Sequence, residues 1–403
     1  MRSISKVIAV LLLALLVAGS ALAEPIAQPA FQRLWDRTGV PIQRGAAGYS
    51  WVWGPEPFTP QLMEAFAEGG GGRRAAQYFD KSRMEINDPN GDPNSQWFVT
   101  NGLLVNEMIG GQVQVGLNDF IPLAPAAIPI AGDPDNTFPT YASLDQIVNT
   151  PASGVLGGHA TRSYLAGGFG EFPQYATSPA TEIVQLVRGR GVPRAFWDFM
   201  NGRGTVYENG RLVRNQLVFD WLFTLGYPTT EPFWTRARVA GVERDVLFQA
   251  FERRVLTYVP DNPAQYQVEM GNVGRHYYEW RYVQPFAGGA RAIIAVPAAG
   301  AAVGSPLQVR GFENGQSFEG AIAVRLKNKS SGAVLATANT QVFQADTGRP
   351  GPFTAMLAFT PPAQSTAATI EVVTFSARDG SEIPLASRDV TLGPAAGAPA
   401  PGS

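Results

Sequence analysis

The chain has 403 residues, with 31 Lys+Arg against 33 Asp+Glu and no cysteine. A balance so close to neutral argues against nucleic acid or an anionic membrane as the main partner. The missing cysteines exclude disulfides, thiol nucleophiles, Cys-based metal sites and lipid attachment at an N-terminal cysteine. Folding must therefore rest on core burial, and the length is enough for two or three domains.

At the start, Arg2 and Lys6 flank or precede an apolar run from Val7 to Val17, followed by small residues ending in Ala21-Leu22-Ala23. This is the order of a secretory signal, residues 1–23, with cleavage expected after Ala23. The alternative is an uncleaved membrane anchor, but the run falls short of the roughly 20 residues a spanning helix needs. Removing the segment takes away Arg2 and Lys6 and no acid, which leaves 29 basic residues (31 less 2) against 33 acidic. No second long apolar run follows, so the mature chain is expected to be secreted without a membrane span.

Every Trp and every Tyr lies between Trp35 and Tyr282. That marks residues 24–285 as an aromatic-rich region. Within it, Val192, Phe196, Trp197 and Met200 recur at helical spacing. Short strands are expected at Ala75 to Phe79, Trp97 to Val99, Gln112 to Val115, Val246 to Phe251 and Arg254 to Tyr258, each bounded by turn residues. The pattern is α+β and β-rich. Ile121 to Gly170, rich in Pro, Gly, Ala and Thr, is expected to form surface loops. Gln284-Pro285-Phe286-Ala287-Gly288-Gly289 reads as a linker centred on residues 286–289. Beyond it, residues 290–393 alternate short apolar runs with Gly, Pro and Asp-Gly turns, as a small all-β sandwich does. Residues 394–403 hold only Gly, Pro, Ala and Ser and have nothing to bury.

The aromatic region contains an internal echo. Gln77-Tyr78-Phe79-Asp80-Lys81 matches Gln249-Ala250-Phe251-Glu252-Arg253 in kind at all positions but the second. Upstream, Trp53-Gly54-Pro55 parallels Leu225-Gly226-Tyr227-Pro228; downstream, Trp97 to Gly102 parallels Tyr266 to Gly271. Ordered blocks at near-constant spacing favour a duplication over chance, with half-modules near 31–120 and 190–282 and a loop-rich connection between them. Phe79 and Phe251 would point inward from strands, and the charged residues beside them would pair across neighbouring strands at the surface.

Past the linker, Val296-Pro297, Gly300, Val303, Ser305-Pro306-Leu307, Val309, Gly311 and Phe318-Glu319-Gly320, with Gly351-Pro352-Phe353, Leu357, Phe359 and Asp379-Gly380-Ser381, resemble the Gmad2 domain, the immunoglobulin-like domain of bacterial spore germination proteins. The resemblance implies an immunoglobulin-like sandwich in an envelope or extracellular protein and brings no catalytic residues with it. Phe196, Gly204, Leu225-Gly226-Tyr227-Pro228 and Gln249 to Arg254 are similar to the LGFP-type repeats of bacterial surface proteins, with Tyr227 in place of the usual Phe. That similarity implies envelope attachment or glycan contact. Gln77 to Glu85 and Gly271 to Tyr278 also resemble segments of uncharacterised secreted bacterial proteins.

No reaction centre emerges, and no residue is assigned a catalytic, cofactor-binding or metal-ligating role. The two histidines, His159 and His276, are too few for a His-rich metal centre. His276 lies where charged and aromatic residues alternate, as in a terminal helix or strand with rings inward and charges outward; His159 reads as an exposed or capping loop residue. Asp88 to Ser95 places oxygen side chains at every second position, but the Gly stands fourth and Val99 twelfth, against the EF-hand pattern. Asx-rich turns have the same composition. Glu85, Glu107, Glu252, Glu269 and Glu279 could supply a glycosidase pair, while most aromatic rings are expected to build the core. The function expected is a secreted, non-enzymatic envelope protein that binds a wall glycan or a protein partner and carries the sandwich as a spacer or docking unit. A cell-wall hydrolase with an unrecognised carboxylate pair is the alternative, and a structural protein binding copies of itself is a third.

Overall fold

A computed structural model describes residues 24–394; residues 1–23, expected to be a secretory signal, and the tail beyond Pro394 lie outside the described residues. The chain is multidomain and β-rich, and among the described residues no helix is long and apolar enough to cross a membrane.

In the aromatic region, strands form where apolar residues alternate and end where polar turn residues interrupt them. Leu62–Ala65, Arg73–Phe79 and Ser82–Ile86 make one antiparallel sheet, turning at Asp80-Lys81. A second sheet runs in the order Val268–Met270, Val255–Tyr258, Val242–Ala250, Phe233–Val239, Arg162–Leu165 and Gly168–Glu171. The first sheet is copied within the second, in register. Leu62 faces Ala76 as Phe233 faces Phe248, and Gln77 faces Met84 as Gln249 faces Leu256. The bridge from Pro57 to Phe79 recurs between Pro228 and Phe251, and that from Glu85 to Thr100 recurs between Thr257 and Glu269. Side chains repeat too. Gln77 Nε2 donates to Thr59 O at 3.0 Å and Gln249 Nε2 to Thr230 O at 2.9 Å, while the amides of Tyr78 and Ala250 each donate to the Oγ1 of the same threonine at 3.1 Å. Chance matches between aromatic segments do not reproduce register and hydrogen bonds together.

Each copy ends in a short helix, Leu104–Gly110 in the first and Val273–Tyr278 in the second. Each helix begins on the hairpin turn of the other copy. The amides of Val105 and Asn106 donate to Glu252 O at 3.2 and 3.4 Å, and those of Gly274 and Arg275 donate to Asp80 O at 3.1 and 3.3 Å. Reciprocal contacts of this kind characterise a two-fold related pair. The charged pairs beside Phe79 and Phe251 thus differ from the surface cross-strand pairs expected. They stand in the turns, free of the strand faces: Asp80 accepts from Arg275 Nε at 2.6 Å, Lys81 Nζ donates to Met270 O at 2.8 Å, and Arg253 Nη1 donates to Leu222 O at 2.7 Å.

Residues 121–170 also depart from expectation. Ile121, Ile128, Ile130, Tyr141, Leu144 and Ile147 are buried in the same core as Leu104 and Phe248. A loop-like chain can be buried when its backbone finds partners, and here Ala126 N donates to Met108 O at 2.9 Å, Ile130 N to Pro139 O at 3.0 Å and Ala142 N to Ala126 O at 2.9 Å.

The C-terminal sandwich packs Ala292–Val296, Leu307–Glu313 and Gly351–Leu357 against a five-stranded sheet built from Ala302–Val303, Glu382–Leu392, Thr366–Phe375, Ala321–Asn328 and Val334–Gln341. Val309, Phe353, Val324, Ile370 and Val372 fill the space between. It docks on the aromatic region directly. Met63 N donates to Ala345 O at 2.9 Å, the Arg310 guanidinium meets both Asp119 oxygens at 2.7 and 2.9 Å, and Phe312 and Ala345 enter the neighbouring core. Because the sandwich has a core of its own, a fragment of residues 290–393 is expected to fold alone with strand-rich circular dichroism. A disordered spectrum would show that the docked face is needed for folding.

Candidate functional site

The five glutamates offered for acid–base chemistry do not converge on an open cleft. Glu85 and Glu107 belong to a fully buried ion cluster centred on Glu64. Strand pairing sets Glu64 opposite Arg74 and Tyr78 opposite Arg83, and the helix of the second copy with the wider turn that continues it, Glu279–Val283, brings Tyr277, Arg281 and Tyr282 over the same face. Glu64 Oε2 lies 3.2 Å from Arg74 Nη2, 3.2 Å from Arg83 Nη1 and 3.1 Å from Arg281 Nη1, while the hydroxyls of Tyr78 and Tyr282 donate to Oε1 at 2.6 and 2.8 Å. Glu85 accepts from Arg83 Nε at 2.6 Å, and Tyr277 donates to Glu107. Burial alone would raise the Glu64 carboxyl, but the surrounding guanidiniums of Arg281, Arg83 and Arg74 hold it well below the usual carboxylate range; Glu85 is lowered in the same way. Carboxylates held ionised and sealed from solvent serve structure. The second copy has Thr235, Val246, Val255 and Thr257 at the corresponding strand positions.

Of the other glutamates, Glu252 accepts from Tyr227 N at 3.1 Å, Glu269 is half-buried in the strand Val268–Met270, and Glu279 is exposed. His276 lies on the second copy's helix, as one of the two expected settings had it, but Arg281 of the same run points inward to Glu64. His276 Nδ1 and the Tyr141 hydroxyl are 2.9 Å apart, and burial, with the Lys81 ammonium second, pushes the imidazole down to about 4. The ring borders a cavity of about 180 Å³ shared with Lys81, Thr257 and Glu269. His159 Nδ1 contacts Thr181 Oγ1 at 3.1 Å at a half-buried bridge. In the Asp88 to Ser95 loop, Asp88 Oδ1 and Asp92 Oδ1 accept from the amides of Asn90 and Asn94 at 2.9 Å each, which makes them Asx turns.

That loop shapes the site that does open to solvent. The strand expected at Trp97 to Val99 does not form, because Asp92 and Ser95 close turns instead: Ser95 N donates to Asp92 O at 3.0 Å and Phe98 N to Ser95 O at 3.2 Å. The turn lifts Trp97 out of the fold, where it is 52 % exposed with its ring centroid 5.7 Å from that of Phe223. Beside it is a hollow of about 540 Å³. One wall is the helix Pro29–Gln43, presenting Arg33, Leu34 and Arg37; the opposite wall is Asp220, which caps the helix Trp221–Leu225 through Phe223 N at 3.0 Å. Gln96 Nε2 reaches Asp220 Oδ2 at 3.2 Å, and Val52, Trp53 and Phe219 form a buried apolar floor. The hollow thus offers amide, carboxylate and guanidinium groups over an apolar base, and the Trp97 indole, outside the lining itself, packs on Phe223 of that lining. Such a surface binds by stacking and hydrogen bonding, as small-molecule and sugar sites do.

The signature positions of the sandwich have structural reasons. A Cβ at Gly311 would fall 1.9 Å from Ile293 O and 2.8 Å from the Phe353 ring, so only glycine lets these strands approach. Residues 292–381 match Gmad2, the immunoglobulin-like domain of bacterial spore germination. The match points to a non-catalytic module at this end of the chain, and no residue of the Gmad2 domain lines the hollow. Compared with curated proteins and with solved structures, the chain matches none.

Sequence reasoning singled out neither Glu64 and Arg281 nor the hollow. The ion cluster had one visible signal: Arg74, Arg83 and Glu85 interrupt strands that otherwise read as inward-facing.

Proposed function

We propose that the aromatic region is a non-enzymatic binding module for a wall glycan in a secreted envelope protein, with the Gmad2 domain as its rigidly docked partner. The observation that carries this reading is the half-exposed Trp97 indole, packed on Phe223 and next in the chain to Gln96, where Phe223, Gln96 and Asp220 line the hollow. An indole left in water has no core to serve, and its flat apolar face suits the C–H face of a sugar ring, while amide and carboxylate side chains suit hydroxyls. The near-neutral charge agrees with a neutral polymer as ligand.

Incubation of the mature chain with purified peptidoglycan and with wall polysaccharide, followed for both retention and new reducing ends, tests this. Retention without release is expected. Release of reducing ends would make the protein a hydrolase, and failure of both would remove the glycan reading. Trp97→Ala is expected to weaken retention about tenfold, the scale of one lost stacking contact.

A further inference from the structure

The internal duplication also copies the hollow. A second one, of about 460 Å³, lies against the helix Arg194–Met200. Its lining residues Ala195, Asp198 and Phe199 repeat the spacing of Ala30, Arg33 and Leu34 on the first copy's helix. Gln265, Gln267 and Val268 repeat Gln96, Phe98 and Val99, so corresponding loops close both hollows. A further wall comes each time from the other copy: Asp220, Phe223 and Thr224, just before Leu225-Gly226, for the first, and Gly48, Tyr49, Ser50 and Val52, just before Trp53-Gly54, for the second. Val52, Val218 and Phe219 are common to both, so the two hollows adjoin.

A half-exposed ring recurs in the loop that closes each hollow, next to the lining residues rather than among them. Tyr266, 46 % exposed, holds the position in its loop that Trp97 holds in the first. Core packing does not require an exposed ring at either place, and both copies have one. Of the polar lining, Gln265 repeats Gln96, whereas Asp198 stands where Arg33 does and Gly48 where Asp220 does, so the two hollows share shape and one amide but differ in the placement of charge.

We propose that the chain carries two binding sites of one kind, related by its internal two-fold, and grips a repeating polysaccharide at two points. The inference rests on the glycan reading above and adds to it the repeating nature of the ligand. Two linked sites hold a polymer far more tightly than either alone, by about 10²- to 10⁴-fold, because the second contact is intramolecular.

Tetrasaccharides cut from purified peptidoglycan, titrated into the mature chain by calorimetry, give the stoichiometry. Two per chain are expected, with one of the two sites weakened about tenfold in Trp97→Ala or in Tyr266→Ala and both weakened in the double variant. On insoluble peptidoglycan each single variant is expected to lose at least about tenfold in apparent affinity. One tetrasaccharide per chain, with Tyr266→Ala without effect, would overturn the second site and leave the glycan reading intact. Two per chain with undiminished retention of the single variants would overturn the two-point grip, and no binding in either assay would overturn both readings.

Discussion

Replacing Glu64 by alanine is expected to cost about 3–5 kcal/mol of folding stability, which is the scale for removing one partner of a buried ion pair. Three guanidiniums converge on this carboxylate within 3.2 Å, and none of them is exposed to water. Without Glu64, Glu85 and Glu107 cannot neutralise Arg74, Arg83 and Arg281, and two tyrosine hydroxyls lose their acceptor. Urea unfolding of the purified variant gives the loss as a fall in midpoint at constant slope. Acid provides a second test. The carboxyls of Glu64 and Glu85 are depressed in the folded state, so their contribution is complete above the unfolded glutamate value of about 4.3 and is lost as pH falls through their folded values. The wild-type chain should therefore lose stability below about pH 4, and Glu64→Gln should show a shallower loss over the same window. Equal acid slopes in the two proteins would mean that the cluster is not what titrates.

Gly274→Ala is expected to destabilise the chain by about 3 kcal/mol, at the upper end for overpacking. A Cβ there would lie 1.9 Å from Phe79 O and 2.5 Å from Ser82 O, and both are backbone atoms of the other copy's hairpin, which cannot swing aside as a side chain can. The helix Val273–Tyr278 must then back away from the Asp80 turn, stretching the hydrogen bonds from the Gly274 and Arg275 amides to Asp80 O and lifting Tyr277 and Arg281 from the ion cluster. Near-UV circular dichroism and urea unfolding would register the change; a variant with wild-type midpoint would show that the two copies do not depend on that contact.

The sequence made legible whatever repeats at short range. Alternation located the strands at Arg73–Phe79, Val242–Ala250 and Val255–Tyr258, helical spacing located Arg194–Met200, and the Pro306 to Gly320 run identified the sandwich. The echo of Gln77-Tyr78-Phe79 in Gln249-Ala250-Phe251 was legible because strand register constrains both copies alike. The reciprocal docking was not, since it joins Asp80 to Gly274 and Val105 to Glu252 through backbone atoms that carry no residue signature. Buried charge was illegible for a related reason. Arg83 or Glu64 reads as a surface residue until the partners that neutralise it are brought from elsewhere in the chain. The hollow escaped notice because turn chemistry at Asp92 and Ser95 overrode the strand propensity of Trp97 to Val99.

The crossed helices also set the order in which the chain can complete itself. While the first copy leaves its site of synthesis, its Asp80 turn faces no helix and its buried Glu64, Arg74, Arg83, Glu85 and Glu107 lack Arg281. Residues up to 120 therefore cannot reach their final packing until residues 273–282 exist, and closure depends on contacts between distant parts of the chain, which form late and slowly. The crossed docking of two similar halves has in this way removed the independence that halves on a string would have had, and a chain cut between them is left with two incomplete cores.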